Sequence, residues 1–98
     1  MKAARLVAPQ TFDFVELEEP TPKEGQAKIR VEATSVCGSD IHGIYHAELP
    51  EEEYPLQPGV PCHEIAGTIV ESKTDELKEG QRAVVLPTRG LGGLSEYL

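Results

Sequence analysis

Residues 27–42 read Ala27-Lys28-Ile29-Arg30-Val31-Glu32-Ala33-Thr34-Ser35-Val36-Cys37-Gly38-Ser39-Asp40-Ile41-His42, and the change of pattern inside this stretch decides the fold. Its first seven residues alternate. Ala27, Ile29, Val31 and Ala33 share one face, while Lys28, Arg30 and Glu32 share the other, as a half-buried strand requires. That strand delivers the chain to a run of chemically active side chains: Cys37, Ser39, Asp40 and His42. Ser39 and Asp40 are both good helix-capping types, so one short helix is predicted from there toward Tyr45.

The flanking sequence repeats the short-strand pattern. Lys2 to Val7 and Phe12 to Leu17 are predicted strands, the second stopped by Pro20 and Pro22. Ala66 to Val70 and Arg82 to Leu86 are two more, with a turn at Glu79-Gly80 between them, and Leu94 to Leu98 begins a sixth. Prolines 50, 55, 58 and 61 predict an irregular loop from Glu48 to Pro61, with Glu51-Glu52-Glu53 as its solvated face. The fold class expected is mainly β: a partly open barrel of short strands with long connections and one short helix.

With 98 residues the chain is one small domain or a piece of a larger protein. It ends inside a predicted strand, which favours the second expectation. The net charge of −8 disfavours nucleic acid and anionic membranes as partners, because both require a basic face. The N-terminus lacks the apolar core of a signal peptide, and no segment approaches the roughly 20 apolar residues of a membrane span. A cytoplasmic setting is therefore expected, in which Cys37 and Cys62 lean toward metal binding or catalysis rather than a disulfide.

The chemistry concentrates in two places. Cys37-Gly38-Ser39-Asp40-Ile41-His42 is answered downstream by His63-Glu64-Ile65-Ala66-Gly67. Together they offer a thiolate, an imidazole and a carboxylate. Zinc accepts all three, and a catalytic zinc typically takes three protein ligands and leaves one position open. The spacing lacks the paired clusters of a zinc finger. One catalytic zinc site is the leading expectation.

Five landmarks in order, Lys2-Ala3, the Pro20–Gly25 turn, Val36 to His42, His63 to Gly67 and Gly80-Gln81-Arg82-Ala83-Val84, resemble the N-terminal, GroES-like catalytic domain of the zinc-dependent medium-chain alcohol dehydrogenases. The resemblance covers essentially all of the chain. It implies that Cys37 and His63 bind zinc and that Glu64 lies at or beside the ion, a ligand in some states and displaced in others. It also implies that zinc polarises an alcohol or polyol substrate for hydride transfer. Ser39 would take the alcohol's proton and His42 would pass it toward solvent, roles that suit a hydroxyl and an imidazole. Asp40 would fix the orientation of a ligand, and Tyr45 and His46 are candidates to line a substrate pocket.

Several positions depart from the pattern. The family usually carries glycine where this chain has Cys62. A second thiol beside His63 invites the idea of an extra ligand, but neighbours on an extended backbone point to opposite sides. Gln81 replaces the usual acid after Gly80. Thr88-Arg89-Gly90-Leu91-Gly92-Gly93 stands where many relatives carry a four-cysteine structural-zinc lobe, so that lobe is expected to be absent. Gly90-Leu91-Gly92-Gly93 does not match the dinucleotide fingerprint. NAD or NADP is therefore expected only in a full-length parent with a nucleotide-binding domain. Two other readings are a stand-alone or engineered zinc-binding β module without turnover and a metal-free GroES-like barrel used in assembly. The Cys/His/Glu set argues against the second.

Overall fold

The computed structural model describes residues 1–85 and 92–98. Leu86 of the fifth predicted strand, and Thr88 to Leu91 of the segment read in place of the zinc lobe, lie outside them. Five strands are present: β1 (Lys2–Ala8), β2 (Thr11–Glu16), β3 (Ala27–Ser35), β4 (Glu64–Ser72) and β5 (Arg82–Val85). All five were expected, and the ends that fall among the described residues differ by at most two residues.

β1 and β2 form an antiparallel hairpin from Lys2↔Glu16 to Ala8↔Thr11. β3, β4 and β5 form a second antiparallel sheet in that order. Residues 94–98 run between the two sheets. Ala4 N–H donates to Leu94 O at 2.8 Å and Glu96 N–H to Lys2 O at 3.1 Å, while Val31 N–H donates to Glu96 O at 2.9 Å. The expected sixth strand is thus reduced to two isolated bridges, Ala3↔Ser95 and Arg30↔Tyr97. The segment bends around Ser95, whose hydroxyl lies 3.0 Å from Gly92 O and 3.1 Å from Tyr97 O. The result is a partly open barrel.

β4 supplies the centre of the core. Ile65 and Ile69 are fully buried, as strand alternation dictates, and Ala3, Leu6 and Cys62 are buried with them. Gly67 stands between them because a Cβ there would fall 2.1 Å from Arg30 O. The even alternation expected along β3 fails at its end. A bulge between Val31 and Ala33 adds a residue against β4, so Ala33 is exposed and Thr34 takes the covered position.

The predicted helix is present but begins earlier than expected. α1 spans Gly38–Asp40 with Cys37 at its cap, and the chain continues as a wider π-type turn over Ile41–Tyr45. The proline-rich loop is not wholly irregular. Glu51–Glu53, free of proline and bracketed by Pro50 and Pro55, form one 3₁₀ turn. Among the described residues no helix is long and apolar enough to cross a membrane.

Candidate metal centre

Cys37 stands where β3 gives way to α1, with an extended backbone (φ −80°, ψ 154°). Asp40, the third helical residue, turns its carboxylate back on that cap, and its Oδ2 accepts the Cys37 N–H at 2.9 Å. This is the side-chain arm of a capping box, with Asp in place of Glu. His63 and Glu64 stand at the head of β4. The antiparallel register places Glu64 opposite Ser35, two residues before Cys37. Sheet pairing therefore brings together two motifs that are distant in sequence.

The ligand atoms of Cys37, His63 and Glu64 all lie within 4.8 Å of one another. Zinc bonds of about 2.0–2.3 Å at tetrahedral angles separate ligand atoms by about 3.3–3.6 Å. No pair therefore has to close by more than about 1.5 Å to meet that geometry. The half-covered thiol and imidazole and the exposed carboxylate form a mixed S, N, O set that fits zinc.

Asp40 holds this set from behind. It is 1% exposed; its Oδ1 accepts from the Cys62 N–H at 3.1 Å, and the same oxygen lies 3.1 Å from His63 Nδ1. With the Asp40 carboxylate beside Nδ1, Nε2 is the nitrogen of His63 left to a metal ion. A carboxylate on the far side of a ligating imidazole fixes its tautomer and raises its basicity.

The charges agree with this arrangement. A hydrogen bond from the Ser39 hydroxyl, helped by the Ser39 N–H and by His63, holds the Cys37 thiol below its ordinary pKa. The hydrogen bond with Cys37, reinforced by the negative charge of Asp40, raises His63. Both shifts favour a thiolate facing an imidazolium, a state from which a metal ion displaces a proton. Burial, and next the charge of Asp40, pushes the Cys62 thiol up.

Of the other singled-out residues, none belongs to the three-ligand group. Ser39 is exposed in α1, two residues after Cys37. His42 is exposed on the Ile41–Tyr45 turn, outside the three-ligand group. Tyr45 is half-covered, stacked on Phe12 with ring centroids 5.8 Å apart, and His46 meets it edge-on at 5.0 Å. Cys62 is also outside the group. Its φ of +84° lies in the left-handed region that favours glycine, which accounts for the glycine usual at this position. Sequence reasoning missed Ser35 and Thr34. The Ser35 hydroxyl bonds the Glu64 carboxylate, and the Thr34 hydroxyl donates to Glu64 O at 3.1 Å. Only the strand register reveals them.

Comparison with known proteins gives the family of this domain. The family model for the alcohol dehydrogenase GroES-like domain matches residues 23–98. The uncharacterized zinc-type alcohol dehydrogenase-like protein YphC of Escherichia coli is 37% identical over 98 aligned residues, covering 94% of this chain and 28% of that protein. The crystal structure of an Escherichia coli oxidoreductase/dehydrogenase of unknown specificity superposes with a TM-score of 0.78 at 28% identity, covering 99% of this chain and 36% of that one. The structure of 2R,3R-butanediol dehydrogenase from Bacillus subtilis gives 0.75 at 26%, covering 99% and 37%. The chain spans about a quarter of the length of the curated relatives it matches. On its fold and over most of its length, the chain belongs to the alcohol dehydrogenase GroES-like domain family.

Proposed function

We propose that residues 1–98 are the zinc-holding catalytic domain of an NAD(P)-dependent alcohol or polyol dehydrogenase whose nucleotide-binding domain lies elsewhere in a longer polypeptide. The observation that carries this reading is the convergence of Cys37, His63 and Glu64 in front of the buried Asp40. Cys37 and His63 hold the metal, and Glu64 stands at or beside it. Zinc bound there supplies a Lewis acid that lowers the pKa of an alcohol oxygen.

The chain's own residues do the rest. Asp40 keeps His63 in one tautomer and orientation. Ser39, two residues after Cys37, takes the substrate's hydroxyl proton, and the exposed His42 releases that proton to water. The Ser39 hydroxyl both accepts and donates, so it passes a proton without holding a charge. An alcohol or vicinal diol is favoured as substrate by the likeness to a butanediol dehydrogenase.

Metal content tests the reading directly. Elemental analysis of the chain refolded with zinc is expected to give one equivalent, which Cys37→Ala and His63→Ala each lose. A Cys37→Ala protein that keeps its full equivalent refutes the assignment.

A further inference from the structure

Glu64 is the exposed member of the metal centre, and a free glutamate on a strand surface spreads over many rotamers. Here it does not stand free. Ser35 is its direct cross-strand neighbour in the β3–β4 ladder, and the Ser35 hydroxyl donates to Glu64 Oε2. Thr34 secures the same residue from the backbone side by donating to Glu64 O. Among the described residues no lysine, arginine or histidine pairs with this carboxylate. Ser35, His63 and Glu64 also line one groove of about 470 Å³ together with Val84 and Val85.

A carboxylate has two oxygens and about four lone-pair sites. A single hydroxyl donor occupies one site and leaves the others open to a metal ion. Directly opposed residues in an antiparallel ladder stay within reach of each other as long as the ladder holds. The Ser35 hydroxyl is therefore a tether that keeps the carboxylate beside Cys37 and His63 without consuming its capacity as a ligand.

We propose that Ser35 is the positioning residue for Glu64, and that its hydrogen bond to Oε2 sets how firmly Glu64 holds the metal. This rests on the metal-centre reading above. The tether acts through Glu64 alone, so its effect disappears when Glu64 has no carboxylate.

The test uses the full chain loaded with zinc or cobalt(II). Zinc affinity is read by competition with a chromogenic chelator, and the ligand set by the visible absorption of the cobalt form. Ser35→Ala is expected to weaken zinc binding about tenfold, the lower end of what partners of metal ligands contribute. It should also move the cobalt spectrum toward that of Glu64→Ala. Ser35→Thr, which keeps the hydroxyl, should restore both readouts. In a Glu64→Ala background, Ser35→Ala should add nothing. Ser35→Ala binding zinc like the parent with an unchanged cobalt spectrum overturns the proposal. So does a Glu64→Ala protein indistinguishable from the parent while Cys37→Ala still loses its metal; that result leaves the metal-centre reading standing. If Cys37→Ala also keeps its metal, both fail together.

Discussion

Asp40 Oδ1 lies 3.1 Å from His63 Nδ1, and the same buried carboxylate takes the backbone N–H groups of Cys37 and Cys62. One side chain thus fixes the orientation of the imidazole and the backbone beside both cysteines. A buried charge of this kind persists only when hydrogen bonds surround it.

Replacement of Asp40 separates its two duties. Asp40→Ala removes the acceptor for two N–H groups, and each donor left unsatisfied in a buried setting costs about 1–3 kcal/mol. A clearly lowered urea midpoint is expected. Asp40→Asn retains most of the shape but not the charge. It should weaken zinc binding by about 10–100-fold with a smaller loss of stability, measured by chelator competition and urea unfolding of the same samples.

The two thiols should differ in chemistry. In metal-free protein, hydrogen bonding from Ser39 holds the Cys37 pKa down, whereas burial raises that of Cys62. Alkylation proceeds through the thiolate. Iodoacetamide should therefore modify Cys37 at a pH below the usual thiol range and leave Cys62 unmodified in the folded protein. Ser39→Ala should shift the Cys37 profile to higher pH, and zinc should protect Cys37. Peptide mass spectrometry across a pH series reads all three effects, and equal labelling of the two cysteines would contradict the assignment.

At Cys62 the backbone, not the sulfur, sets tolerance. A non-glycine residue at φ +84° carries strain of order 1–3 kcal/mol. Cys62→Gly relieves that strain while losing a buried side chain and adding freedom to the unfolded chain. Its stability should stay within about 1 kcal/mol of the parent, with zinc stoichiometry unchanged. Cys62→Val places a β-branched residue where φ is positive and should cost about 2 kcal/mol or more. Chemical denaturation of the two variants orders them.

Gly67 provides a purely structural control. A Cβ at this position would meet Arg30 O at 2.1 Å and the Ile29 Cγ2 methyl at 2.7 Å. Backbone cannot yield as a side-chain tip can, so Gly67→Ala should destabilise by about 1–3 kcal/mol or more. The stability loss is expected in urea unfolding, with Cys37 alkylation in the native state still selective.

The strands were legible in the sequence because alternation along a strand is local: Ala27 to Val31 declare their faces residue by residue. So was the donor chemistry of Cys37, His63 and Glu64, since sulfur, imidazole and carboxylate keep their metal preferences in any fold. Three features were beyond it. The bulge after Val31 exchanges the exposures of Ala33 and Thr34, which no repeat of period two can announce. The opposition of Ser35 and Glu64 follows from the register of two strands separated by a long loop, and loop length does not specify register. The burial of Asp40 under both motifs, and the left-handed backbone at Cys62 beside it, arise only when the head of β4 packs against α1. Residue types determined what this chain could bind; long-range pairing and packing decided which of those residues meet, because those contacts are set by the whole sheet and not by neighbours along the chain.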